Sequence, residues 1–263
     1  MKKLLLIAFA ACMLFSSCSK KSDGGMVLKA GEFSVGVNVA YPPFEYYGSD
    51  GKTALGFDIE LGNAIAKKLG LEAKIVDVAW EGIFAGLDTN KYDCVISAIT
   101  IIPEREAAYE LSKPYVGNGQ AIILKKGSAL KISKPEDLRG LIIGYLSEST
   151  SDIFMTKKAD SGLKFTAAEY DDAMNSFADL KNGRCDAVVS DSLVAAEYVS
   201  GDDSPFIIVW QGKAEEFMGI AMKKGNLELK NAVNKALDEL AADGTLKALS
   251  EKNFGRDIVS DLW

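Results

Sequence analysis

From residue 33 onward the chain alternates short apolar runs with amphipathic stretches, and that alternation limits its fold more than anything else in it. Phe33–Val39 reads as a strand. Phe57–Leu69 carries Ile59, Leu61, Ile65, Ala66 and Leu69 on one helical face and stops at Gly70. Leu71–Val78 reads as a second strand, Ile83–Leu87 as a short helix and Cys94–Ile99 as a buried strand. The β-α-β order predicts an α/β fold with a mostly parallel sheet. The pattern then starts again: Gln120–Lys125 and Leu141–Tyr145 read as strands, Ser151–Lys158 and Tyr170–Asn182 as helices, and Ala187–Ser190 as a strand. Leu227–Leu240 and Leu246–Leu249 are helical, with a break at Asp243-Gly244.

The two halves echo each other. Leu87, five residues, Asp93, one residue, Val95, Ile96, Ser97 aligns with Leu180, five residues, Asp186, one residue, Val188, Val189, Ser190. One reading is two similar lobes, each placing a Ser at the C-terminal end of a strand, where open α/β sheets bind ligands. The other is chance similarity between two βαβ units. In this register Cys94 and Cys185 fall in separate lobes at inequivalent positions, so a disulfide between them is not expected.

With 263 residues, 48% of them apolar, the chain can bury a core without disulfide staples. Its net charge of -7 argues against nucleic acid as a partner. It contains no His, which removes Ser-His-Asp and Cys-His catalysis and His-ligated zinc. No metal or cofactor is expected. At the N-terminus, Lys2-Lys3, an uncharged run from Leu4 to Phe15 and Ser16-Ser17 read as a secretory signal over 1–17. The run is too short to span a bilayer. Cys18 after the small pair resembles the lipobox of bacterial lipoproteins, with Phe15 where that pattern prefers Leu. Cys18 is therefore the expected lipidation site; a plain signal peptide is the alternative. Residues 18–27 read as a lipidated tether, holding the chain to a membrane on its extracytoplasmic side. Loss of Lys2 and Lys3 takes the net charge to -9.

Tyr41-Pro42-Pro43-Phe44-Glu45, Gly56-Phe57-Asp58-Ile59-Glu60-Leu61 and Ile99-Thr100 with Pro103-Glu104-Arg105 come in that order. They are followed by Lys113-Pro114-Tyr115, Glu136-Asp137-Leu138-Arg139-Gly140, the run Arg184–Asp191 and Asn253-Phe254-Gly255. Together they resemble the polar-amino-acid solute-binding proteins of ABC importers (bacterial extracellular solute-binding protein family 3), over nearly all of residues 30–256. The resemblance implies a type II two-lobe clamshell, each lobe a mostly parallel sheet flanked by helices, joined by two crossover hinge strands. Lobe 1 would take 28–116 and 218–263, and lobe 2 would take 119–213. The hinges would fall near Tyr115–Asn118 and Ala214–Met218. A monomer would capture a free L-amino acid between the lobes, perform no reaction and deliver its ligand to an ABC permease.

The same resemblance places Arg105 at the ligand's α-carboxylate, where a guanidinium offers paired planar donors and a permanent charge. The alternative is a surface Arg paired with Glu104 or Glu106. Asp191 falls at the α-ammonium; its alternative is an N-cap for a helix over Leu193–Val199. Thr100 and the backbone around Ser97 and Ala98 resemble further donors and acceptors. Ser149 and Thr150 match a loop before a helix that also contacts the carboxylate, with Glu148-Ser149-Thr150 where the family usually has Gly-Thr-Thr. Simple capping is their alternative. Tyr41 and Trp80 would be aromatic walls, or core residues. Asn38 stands where relatives that take cationic side chains often have Asp. With Leu146 and Ser190 also uncharged, a neutral polar ligand such as glutamine or cystine is favoured. Glu81 or Glu148 could still supply a charge for arginine or lysine. Two other classes stay open: a cyclohexadienyl-dehydratase-like enzyme with Glu81 or Glu148 as general acid, and a ligand-binding sensory lipoprotein.

Overall fold

A computed structural model describes residues 25–263. The signal over 1–17, Cys18 and most of the tether lie outside the described residues. Met26 and Val27 already rest against the first core, so the docked chain begins before residue 28.

Two five-stranded sheets organise the molecule. The first runs, edge to edge, Glu72–Asp77, Glu32–Val37, Cys94–Val95, Ala221–Lys223 and Tyr109–Leu111. The second runs Thr166–Tyr170, Ile142–Leu146, Ala187–Asp191, Gln120–Lys125 and Phe206–Gln211. In each, the first three strands are parallel, the fourth runs antiparallel to them, and the fifth pairs antiparallel with the fourth and so runs with the first three. The strands of the internal echo, Cys94–Val95 and Ala187–Asp191, occupy the same middle position. Four of the five strands in each sheet thus run the same way, as expected of a mostly parallel sheet, and the exception is the strand that follows a crossover. The reason lies in the connections. A strand that follows a crossover enters its sheet from the cleft end, against strands that end there. The crossovers Val116–Asn118 and Glu216–Met218 pair with each other as an antiparallel ribbon.

The helix Phe57–Leu69 forms where its apolar periodicity predicts and ends at Gly70, in the left-handed conformation with φ 70°. Gly56 starts it at φ 117°, and a Cβ there would lie 2.3 Å from the Phe44 carbonyl oxygen. Only glycine lets the two backbones approach so closely. Phe44, Phe57, Tyr115 and Phe254 come from four of the diagnostic strings and meet in one aromatic cluster. Centroids are 5.2 Å apart for Phe44–Phe254, 5.3 Å for Phe57–Phe254 and 6.0 Å for Phe57–Tyr115.

Three readings change. Residues 94–99 are all buried, but only Cys94–Val95 pairs as strand, because Ala98 turns into the left-handed region at φ 48°. Tyr170 closes a strand, Thr166–Tyr170, and the next helix is Ala173–Asn182. Asp172 separates the two by accepting the Met174 amide as an N-cap. Phe206–Gln211 and Ala221–Lys223 are strands that the periodicity did not disclose. Cys94 and Cys185 are both free and buried.

Candidate ligand-binding site

Between the C-terminal ends of the two sheets lies a small cavity, at the sheet edge where open α/β folds bind ligands. All ten residues expected at a site line it: Asn38, Tyr41, Trp80, Ser97, Ala98, Thr100 and Arg105 from one side, Ser149, Thr150 and Asp191 from the other. Glu45 and Leu146 complete the lining. Glu81 and Glu148 are exposed and Ser190 is buried, and none of the three is part of it.

Arg105 sits in the short helix Pro103–Ala108 and is only 8% exposed. Its Nη1 donates to the Thr100 carbonyl at 3.1 Å. The guanidinium lies 5.7 Å from the Trp80 ring centroid and 5.4 Å from that of Phe84, within cation–π range. It makes no ion pair among the described residues, so the pairing with Glu104 or Glu106 does not occur. Burial pulls its proton affinity down, and the charge of Asp191 opposes this.

Asp191, 4% exposed, stands at the N-cap position of the helix Ser192–Val199 without capping it. Its carboxylate instead accepts the Tyr41 hydroxyl at 2.8 Å and Gln120 Nε2 at 3.1 Å. Burial raises its pKa; the bonds from Tyr41 and Gln120 and the charge of Arg105 pull it back. The Tyr41–Asp191 bond crosses the cleft. So does the bond from Trp80 Nε1 to the Ser147 carbonyl, at 3.0 Å.

Several expected donors are engaged within the protein. Ser97 Oγ donates to Glu45 Oε1 at 2.5 Å and accepts the Asn38 amide at 3.1 Å. The Ala98 amide donates to Asp58 Oδ2 at 2.7 Å. Ser149 Oγ accepts the Ser151 and Asp152 amides and donates to the Leu146 carbonyl. Its side chain is thus the helix cap, while the residue still faces the cavity. Glu148, where the family usually has Gly, adopts φ 57°, a conformation that favours glycine. Asn38 Nδ2 donates to the Val78 carbonyl at 3.1 Å.

Beneath the cavity lies a pair of acids that the sequence reading did not single out. Glu45 and Asp58 are both fully buried. Burial and the neighbouring Asp58 push Glu45 far above the usual carboxylate range, and burial pushes Asp58 up to about 7. Asp58 Oδ2 also accepts the Tyr115 hydroxyl at 3.0 Å. Each acid follows a Phe within an apolar run, a signal that was present in the sequence.

Two lobes, paired crossovers and a polar cavity at the strand ends define a type II periplasmic-binding-protein fold. The family model described as "Bacterial extracellular solute-binding proteins, family 3" matches residues 33–256. The chain belongs to that family. The L-cystine-binding protein TcyJ of Escherichia coli (strain K12) is 34% identical, over 97% of this chain and 94% of the relative. The ABC transporter arginine-binding protein 1 of the same strain is 31% identical, over 97% and 99%. Among solved structures, an ancestral arginine-binding protein bound to arginine matches with TM-score 0.81 and 39% identity, covering 86% of this chain and 99% of that one. An ancestral arginine-binding protein bound to glutamine gives 0.80 and 40%, covering 87% and 100%. The ancestral amino acid-binding protein AncCDT-1, a precursor of cyclohexadienyl dehydratase, gives 0.76 and 36%, covering 85% and 95%.

Proposed function

We propose that this chain captures a free L-amino acid between its lobes and delivers it to an ABC permease, without chemical change. Arg105 would hold the α-carboxylate and Asp191 the α-ammonium. The observation that carries the reading is Arg105 itself: a buried cation with no ion pair among the described residues, lining one cavity with a buried carboxylate. A buried charge without a partner is costly, and a zwitterion supplies a partner to each. The named ligands of the relatives, cystine and arginine, agree with an amino acid.

We favour a neutral polar ligand, glutamine or cystine, whose portion beyond the first zwitterion carries no net charge. Once Arg105 and Asp191 are matched to the zwitterion, the other carboxyl in the lining is Glu45, which burial and the neighbouring Asp58 push well above the usual carboxylate range. Asn38 adds no charge. Tyr41 and Trp80 would flank the ligand's side chain. Thr100, Thr150 and the backbone at Ser97, Ala98 and Ser149 would complete the contacts. The mature chain would act as a monomer outside the cytoplasm, anchored by lipid on Cys18.

Thermal melting tests this reading. The mature chain, unlipidated and stripped of co-purified ligand, is melted against the twenty amino acids, cystine and prephenate. A ligand at ~100 times its dissociation constant adds about 2.7 kcal/mol to native stability. One or a few neutral polar amino acids are expected to raise the melting temperature. A shift with prephenate alone, or none with any amino acid, would contradict the proposal.

A further inference from the structure

Asp191 is held by a residue that does not line the cavity. Gln120 opens the strand Gln120–Lys125, directly after the first crossover, and is the register partner of Asp191 in the second sheet. It is 3% exposed. Its Nε2 donates to Asp191 Oδ1 at 3.1 Å and to Glu216 Oε2 at 2.9 Å, and lies 3.4 Å from Thr150 Oγ1. Its Oε1 accepts the Ser151 hydroxyl at 2.7 Å. Glu216 belongs to the other crossover, Glu216–Met218.

One side-chain NH2 therefore stands between two carboxylates, one at the cavity and one on the crossover ribbon. Two acceptor-only groups need donors between them, and an amide has two N–H bonds to give. The Ser151 hydroxyl fixes which end of the amide faces the acids, because it takes up the carbonyl end. Both Gln120 and Asp191 belong to the second sheet, so their bond does not depend on closure of the cleft.

We propose that Gln120 is a positioning residue, which aims the Asp191 carboxylate at the cavity and separates its charge from that of Glu216. This rests on the reading of Asp191 as acceptor for a ligand ammonium. Without the NH2, the buried Asp191 carboxylate would face the half-buried one of Glu216, and each would raise the other's proton affinity. The other groups acting on the pair are Tyr41 and Arg105 from the first lobe, Asn118 on the first crossover, and Lys157 from the helix Thr150–Asp160. Arg105 and the Tyr41 hydroxyl steady Asp191 and Lys157 steadies Glu216, but none of them bridges the two acids.

The test follows the Asp191 carboxyl by 13C NMR through a pH titration of the ligand-free mature chain, with Asp191→Asn to assign its signal. Gln120→Met keeps the volume and removes both donors. It is expected to raise the Asp191 midpoint by about one pH unit or more. Adding Glu216→Gln should bring the midpoint back towards the wild-type value, a rescue that loss of packing would not produce. Glu216→Gln alone, which leaves Gln120 in place, should lower the midpoint. An unchanged midpoint in Gln120→Met, or no return in the double variant, would overturn the proposal. If Gln120→Met does not fold, an unchanged midpoint in Glu216→Gln overturns it. The amino-acid melting panel separates the two readings. A wild-type response retained by Asp191→Asn would remove the ligand role of Asp191, while the titration still decides the part played by Gln120.

Discussion

Arg105→Ala is expected to weaken binding of every amino acid that binds the wild type by at least about 100-fold. Truncating one partner of a buried, hydrogen-bonded charge pair costs roughly 2–5 kcal/mol, and every such ligand would present its carboxylate to this group. Arg105→Lys retains the charge but not the planar fork, so an intermediate loss is expected. Isothermal calorimetry measures both. The loss should not come from unfolding. Arg105 makes no ion pair among the described residues, so its removal breaks no salt bridge, and Asp191, which loses the more distant charge, keeps its bonds from Tyr41 and Gln120. The melting temperature of ligand-free Arg105→Ala should match or exceed that of the wild type. Retained affinity would sink the carboxylate assignment.

The second large effect concerns stability and pH. Glu45 and Asp58 lie buried together, Glu45 with its pKa far above its ordinary 4.5 and Asp58 raised from 3.8 to about 7. The folded protein therefore holds protons that the unfolded chain releases near pH 4. This contribution is fully present below pH 4 and is lost as pH rises through about 7 and beyond. The wild type should melt several degrees lower at pH 8 than at pH 5. Glu45→Gln replaces a carboxyl with an amide of the same shape that does not titrate. It should flatten this slope and raise the melting temperature at pH 8 by a few degrees. Melting curves at the two pH values decide it, and an equal slope in both proteins would contradict the account. Because Glu45 lines the cavity and Asp58 holds the Ala98 amide and the Tyr115 hydroxyl, the same pair ties the cavity wall to the start of a crossover.

Much of this was legible before the structure, for reasons that differ from residue to residue. The helix Phe57–Leu69 declares itself by periodicity and a terminal glycine. The echo around Ser97 and Ser190 does mark equivalent strands, because both lobes solve the same packing problem. Crossover topology was less legible. Ala221–Lys223 is only three residues long, and its antiparallel insertion depends on a partner more than a hundred residues away. At the site, residue type and motif order named ten side chains that the fold brings to one cavity. They did not disclose which donors are already taken, as those of Ser97 and Ser149 are. Gln120 carried no signal, because a single Gln at the start of an apolar strand reads as a strand end. Its role exists only once the register sets it opposite Asp191 and the ribbon brings Glu216 alongside.

The central claim is that both ends of a free amino acid are recognised. The most direct measurement is calorimetry with the amino acid that gives the largest melting shift, beside its α-methyl ester and its Nα-acetyl derivative. The ester removes the anion that Arg105 would hold, and acetylation removes the cation that Asp191 would hold. Each derivative is expected to bind at least about 100-fold more weakly than the parent, since each leaves a buried charge unmatched. Either derivative binding with the parent's affinity would contradict the assignment of that end.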